Sequence, residues 1–108
     1  ALVAAAVARI AAGTAGGHTV AELADALQVS RRALERRFRV ALGRTPLDEI
    51  HRQRIQRAQA LLAGGAAVAA TASACGFNDR QRFGAAFRSR TGMTPTGFRA
   101  LARGEAPV

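Results

Sequence analysis

The residues best suited to chemistry lie between Ser30 and Gly43, in the stretch SRRALERRFRVALG. Arg31, Arg32, Arg36, Arg37 and Arg39 share it with a single acid, Glu35. An arginine side chain is a permanently charged planar fork, suited to two-point contacts with phosphate oxygens or with O6 and N7 of guanine. At about 100° per residue in a helix, Leu34, Phe38, Ala41 and Leu42 share one face and Arg32, Arg36 and Arg39 the opposite one. One face packs and the other is cationic. The stretch reads as a helix presented to phosphates and base edges; the alternative is a basic surface helix with no ligand.

Such a helix needs neighbours to hold it. Ser30 is a ready N-cap and Gly43 a ready terminator. Upstream, Thr19-Val-Ala-Glu22 is a capping box, and Val20, Leu23, Ala24 and Leu27 follow at i, i+3, i+4, i+7, which predicts a helix of two turns. Gln28-Val29 leads straight from it to the Ser30 cap. Two helices joined by so short a turn cross steeply, the helix-turn-helix arrangement. Before them, Leu2 to Ala11 is apolar all round except at Arg9 and predicts a packed helix ended by Gly13, Gly16 and Gly17. After them, Thr45-Pro46-Leu47-Asp48 opens a long helix, with threonine at the cap, proline at the first helical position and aspartate at the positive end of the dipole. It runs to about Leu62, where Gly64-Gly65 stops it. Its apolar residues Leu47, Ile50, Ile55, Ala58, Leu61 and Leu62 cover more than one stripe, as suits a connector between two subdomains.

The pattern then repeats. Val20, Ala24, Val29 and Ser30 recur as Val68, Ala72, Phe77 and Asn78 at an offset of 48, and Leu34, Phe38, Gly43, Thr45 and Pro46 recur as Phe83, Phe87, Gly92, Thr94 and Pro95 at 49. The shift places one extra residue at the start of the second recognition helix. Gly76 stands in the second turn where Gln28 stands in the first. A last helix runs from Pro95 to about Ala102, and Gly104 to Val108 should fray. The expected fold is all-α, about seven helices in two helix-turn-helix subdomains joined by a long connector helix. The first unit is 1–44, the connector 45–63 and the second unit 64–108.

At 108 residues the chain has the length of one domain. It can bury roughly two-thirds of its unfolded surface without disulfide or metal. Sixteen arginines, no lysine and seven acidic residues give a net charge of +9, which attracts polyanions. The exclusive use of arginine favours bidentate contacts, though a GC-rich genome produces the same bias. One cysteine, Cys75, excludes an internal disulfide and a cysteine-based zinc site, and His18 and His51 are too few to replace one. It is expected to be a buried small hydrophobe. No apolar run reaches transmembrane length, and the N-terminal segment is not a convincing signal peptide. The chain opens on Ala1 and its only methionine is Met93, so it reads as a fragment of a longer protein.

The second half, AVAATASACGFNDRQRFGAAFRSRTGMTPTGFRA, resembles the C-terminal signature of the AraC/XylS family of bacterial transcription regulators through Val68, Ala72, Gly76-Phe77, Phe83, Phe87, Gly92, Thr94-Pro95, Phe98 and Arg99. The first half adds Ser30, Leu34, Arg36, Phe38, Gly43, Pro46, Arg54-Ile55, Ala58 and Leu61-Leu62. The resemblance covers about residues 18 to 100. It implies two helix-turn-helix units that place their second helices in successive major grooves of double-stranded DNA. It also implies a small-molecule effector bound by an N-terminal domain absent from this stretch, RNA polymerase as a further partner, and a cytoplasmic, nucleoid-associated location with neither cofactor nor membrane. Three positions depart from the pattern. Thr71 replaces a large aliphatic residue, Gly84-Ala85 the usual polar pair of the recognition helix, and Phe98 the commoner tyrosine.

By that resemblance, Arg32, Glu35 and Arg36 match DNA-contacting positions in the first unit, with Ser30 and Arg31 beside them, and Arg80, Gln81 and Arg82 match those of the second. Glu35 can accept from cytosine N4 or hold a neighbouring arginine in place, and Gln81 can pair with adenine. Ala85 is a thymine-methyl contact or a small exposed residue; Arg39 and Arg88 are phosphate candidates. Arg37 lies nearer the packed face and reads as a snorkelling or structural side chain. Gly84 implies close approach of backbone to DNA or to a neighbouring helix, and Arg54 is a structural tie or a phosphate contact. The five phenylalanines lie at core spacing. No catalytic constellation stands out, so the chain is read as non-enzymatic. Two other readings remain: the regulatory module of a DNA-repair methyl-transfer protein, which needs a reactive cysteine with metal ligands, and a non-specific architectural or RNA binder, for which charge alone suffices.

Overall fold

The computed structural model describes residues 1–12 and 19–105; Gly13, Gly16, Gly17, His18 and the final three residues lie outside the described part. The described residues form seven α-helices and no strand: α1 Leu2–Ala11, α2 Val20–Ala26, α3 Arg31–Leu42, α4 Pro46–Ala63, α5 Val68–Ala74, α6 Arg80–Thr91 and α7 Pro95–Ala102. They fall into two compact units, Ala1–Gln53 and Arg54–Val108, and α4 is continuous through the boundary.

In the first unit, α1 packs on the helix-turn-helix pair. Ala6 is buried with Leu23, Ala24, Leu34 and Phe38, and Leu2, Val3, Val7, Ile10, Leu27 and Val29 close around them. Burying Leu34 and Phe38, both fully inaccessible, stabilises the unit by roughly 1.5–3 kcal/mol per side chain and fixes the rotation of α3. This core ends at Phe38. Ala41 and Leu42, expected on the packed face, are exposed, as is Val40, so the last turn of α3 runs past the buried core of its unit. In the second unit, Ile55, Ala58 and Leu62 of α4 pack with Ala72, Cys75, Phe83 and Phe87. Phe77, Phe83, Phe87 and Phe98 form a chain of rings with centroids 5.2, 5.7 and 5.5 Å apart, tilted or edge-on. Burial pushes the Cys75 thiol above its ordinary value despite the charges of Arg57 and Arg54, so it packs as a protonated hydrophobe. Thr71 is buried and donates its hydroxyl hydrogen to the Ala67 carbonyl at 2.9 Å.

The caps agree with the sequence except at one place. Thr19 accepts from the Glu22 N–H at 3.1 Å and donates a hydrogen bond from its hydroxyl to the Glu22 carboxylate. Thr45 and Asp48 cap each other's backbone at the start of α4, and Thr94 accepts from the Gly97 N–H. The cap of α6 is Asp79, which accepts from the N–H groups of Gln81 and Arg82, and not Asn78. Both α3 and α6 have twelve residues, so the extra residue of the second unit lies in the turn and not in the helix. A carboxylate takes two N–H donors at the positive end of the dipole, which is why aspartate wins the cap over its neighbour.

The two turns have one backbone geometry. Gln28 at φ 58° and Gly76 at φ 87° are both left-handed. In each, the left-handed N–H bonds the carbonyl three residues back and the next N–H the carbonyl five back: Gln28 to Asp25 and Val29 to Ala24, Gly76 to Ser73 and Phe77 to Ala72. Gln28 bears a steric cost of roughly 1–2 kcal/mol that Gly76 avoids.

The first unit also holds an ionised group that sequence reasoning missed. Glu49 is fully buried. Burial alone pushes its carboxyl up, but hydrogen bonds from Arg52, Gln53 and Arg44 and the Arg52 charge outweigh this and hold it at about 2. Gln53 also reaches the Val7 carbonyl of α1 at 3.4 Å.

Two stability measurements follow. Gln28→Gly should raise the unfolding free energy by about 0.5–1 kcal/mol, the relieved strain less the extra entropy of an unfolded glycine, as read by urea titration. The Glu49 carboxyl lies below its usual 4.5 in the fold, so its contribution, up to about 3 kcal/mol, is complete above pH 4.5 and lost as pH falls from there toward 2. Glu49→Gln should lower stability at pH 7 and flatten that acid limb; an unchanged limb in the variant would show that other carboxylates carry it.

Candidate nucleic-acid interface

With Leu34 and Phe38 turned inward, the remaining surface of α3 is cationic. Arg31, Arg32, Arg36, Arg37 and Arg39 are all exposed, and Glu35 is half-buried. Arg32, Arg36 and Arg39 form the stripe opposite the core, as expected. Arg37 is exposed too, which fits a snorkelling side chain and not a buried structural one. Glu35 pairs with Arg31 at 3.7 Å, so it holds the first arginine of the helix and not Arg32 or Arg36. Ser30 accepts from the Ala33 N–H at 3.1 Å, which leaves its hydroxyl hydrogen to donate outward. The first turn of α3 contains no acidic residue, so its free N–H groups and the two leading arginines all present positive potential. Such an end is stabilised by an arriving anion.

The corresponding surface of α6 is built differently. Arg80, Gln81 and Arg82 at its start, Ala85 in its middle and Arg88 and Arg90 toward its end are exposed. In register with α3, Gln81 stands where Arg32 does, Gly84 where Glu35 does, Ala85 where Arg36 does and Arg88 where Arg39 does. Its middle turn therefore lacks long donors, and its charge lies at the two ends. A β-carbon built on Gly84 meets nothing within 4 Å, which removes close packing of a neighbouring helix as the reason for that glycine.

Other basic residues have structural partners. The Arg54 guanidinium lies 5.9 Å from the Phe77 ring centroid, with its Nε buried and unpaired, so it packs over the second turn of its own unit. Arg99 donates from Nε to the Ala66 carbonyl and from Nη2 to the Gly65 carbonyl, both at 3.0 Å, and so ties α7 to the turn between α4 and α5. In the sequence, Arg99 stands out only as part of the family resemblance. No group of His, Cys, Asp and Glu among the described residues is arranged to hold a metal ion, and no helix is long and apolar enough to cross a membrane.

Residues 23–101 match the model of a helix-turn-helix domain family. An AraC-like transcription regulator of Streptomyces antibioticus is 40% identical over 82 residues, 75% of this chain and 27% of that protein. Among solved structures, the DNA-binding domain of the global transcriptional factor AdpA, determined with a target DNA, superposes with a TM-score of 0.88 at 33% identity, over 97% of this chain and 96% of that one. An AraC-type regulator from Chromobacterium violaceum gives 0.88 at 28% identity, over 97% and 95%. The chain spans about a quarter of the length of the curated relatives it matches.

The open space around Gly84 makes a definite expectation for the free protein. Gly84→Ala should raise the unfolding free energy by up to about 1 kcal/mol, the ordinary helix-propensity gain. Denaturant titration without ligand measures it; a loss of stability would mean that the backbone at Gly84 is under a packing constraint after all.

Proposed function

The chain belongs to the AraC family of helix-turn-helix domains, and we propose that it binds double-stranded DNA sequence-specifically as the DNA-binding part of a transcription regulator, with α3 as the principal reader and α6 chiefly as an anchor. The observation that carries this reading is the exposed Arg32, Arg36 and Arg39 stripe, held opposite the buried Leu34 and Phe38 on a helix capped at both ends. An α-helix fits the major groove, where one bidentate arginine discriminates guanine from other bases by about 1–3 kcal/mol. Arg36, at the centre of the stripe, is assigned that contact together with Arg32; Arg39 takes phosphate. On α6, Arg80, Arg82 and Arg88 are assigned to phosphates, with Gln81 and Ala85 reading weakly. The solved DNA complex of the similar AdpA domain supports the ligand class. Effector sensing is assigned to the additional length of the full regulator, by analogy with the longer relatives.

If about six to eight phosphates are neutralised, the logarithm of the binding constant should fall with the logarithm of salt concentration with a slope near −5 to −7. Arg36→Ala should cost about 1–3 kcal/mol on the preferred site and relax one base position, whereas Arg88→Ala should weaken all sequences alike and reduce the slope by about one. Binding-site selection from a random duplex pool with each variant distinguishes the roles. A motif unchanged by Arg36→Ala but altered by Arg88→Ala would reverse reader and anchor, and a slope near zero for the parent protein would remove the DNA-binding reading.

A further inference from the structure

The cluster around Glu49 is more cationic than a structural ion pair requires. Arg44 donates from Nε to Oε1 at 2.8 Å with its Nη2 2.7 Å from the same oxygen. Arg52 donates from Nε to Oε1 at 3.1 Å and from Nη2 to Oε2 at 2.8 Å, and Gln53 adds 2.7 Å to Oε2. One arginine with Gln53 would suffice to pair the carboxylate; the second leaves the cluster with a net positive charge. Each guanidinium spends its Nε and Nη2 on Glu49, and among the described residues neither Nη1 donates to an acceptor. The carboxylate is 0% exposed while the Arg44 and Arg52 side chains are 36% and 42% exposed, so the anion is inside and the unspent charge is at the surface. Arg44 directly follows Gly43, the C-cap of α3.

We propose that Arg44 and Arg52 form a clamp for a backbone phosphate of the DNA duplex, with Glu49 as the positioning residue that holds both guanidinium groups; this rests on the DNA-binding reading above. Glu49 removes the rotamer freedom that makes a surface arginine a weak phosphate ligand, because ordering has been completed in the free protein. The clamp carries charge and geometry but no base edge, so it acts on affinity and not on sequence. A duplex phosphate is the fitting anion because the clamp begins one residue beyond the cap of the reading helix.

The test uses the whole chain with Arg44→Gln and Arg52→Gln singly, on the selected duplex and on a scrambled one. Each variant leaves Glu49 one arginine and Gln53, and thermal melts followed by circular dichroism establish folding. Losing one phosphate contact should make the salt slope shallower by about 0.9 and cost about eightfold in affinity at 0.1 M salt on both duplexes alike. The selected motif should stay unchanged. Ethylating one backbone phosphate should weaken the parent protein but cost the variants nothing further, which a merely structural role would not produce. Where a glutamine variant melts below the assay temperature, the lysine variant at that position keeps the ion pair with Glu49, loses the second guanidinium edge, and should show the same shallower slope. If the parent protein binds with a steep slope and folded variants keep both its slope and its ethylation pattern, the clamp is overturned while the DNA-binding reading stands. If the parent protein shows no salt-dependent duplex binding, that reading fails first.

Discussion

A single left-handed residue in each short turn governs which surface of the following helix is left to solvent. Between α2 and α3 the chain has only residues 27–30, and between α5 and α6 only 75–79, so direction must change within one turn of backbone. The left-handed Gln28 and Gly76 make that change while returning two N–H groups to the preceding helix, so few polar groups are stranded beside the core. The next side chains, Val29 and Phe77, then pack into the two cores. With the entry angle set, Leu34 and Phe38, or Phe83 and Phe87, enter the core at i and i+4. The exposed stripe is what remains. The arginine face of α3 is thus a consequence of the turn and two apolar residues, and nothing has to hold the arginines themselves outward.

That arrangement works against stability locally. Arg31 and Arg32 lie at the positive end of the α3 dipole, and neighbouring arginines on one face repel; each such effect opposes the helix by a few tenths to about 1 kcal/mol. Glu35 relieves only Arg31, at a partly exposed distance where the gain is small. What keeps α3 folded is therefore the buried pair, the Ser30 cap and the Glu49 cluster behind its C-terminal end, none of which touches the stripe. Separating the groups that hold the helix from the groups that carry its charge lets the surface be optimised for a polyanion.

Much of this was legible in the chain. The 3.6-residue period, the caps and the repeat at offsets 48 and 49 mark α2 to α7, and the apolar run from Leu2 to Ala11 marks α1, because each rests on local chemistry. The failures have physical causes too. Asn78 and Asp79 are both good caps, and only the hydrogen bonds to Gln81 and Arg82 decide between them. Ala41 and Leu42 continue the apolar period, but period says nothing about where the buried core ends. Glu49 is the largest omission: a glutamate with basic residues at i+3 and beyond looks like a solvated helix face, whereas in the fold its carboxylate is fully buried and bonded by Arg44, Arg52 and Gln53, the last also donating to the Val7 carbonyl of α1. Tertiary packing, absent from any local pattern, turns an ordinary helix-face glutamate into a buried carboxylate paired with two partly exposed arginines.

The difference between α3 and α6 extends the proposed reading to specificity. Discrimination is a difference between affinities, so phosphate-binding charge raises preferred and competing sites together, while a bidentate base contact separates them. On α3 the long donors occupy the centre of the exposed stripe, where a helix in a groove is nearest the bases. On α6 the centre is Gly84 and Ala85, and the arginines stand at either end. Removing side chains from the middle turn allows closer approach of the helix axis, and flanking charge favours the two phosphate walls over the floor between them. On the reading proposed above, the two units divide the labour: α3, with its central arginines, supplies the sequence-dependent part of the binding energy, and α6, with its bare centre, the part shared by every duplex.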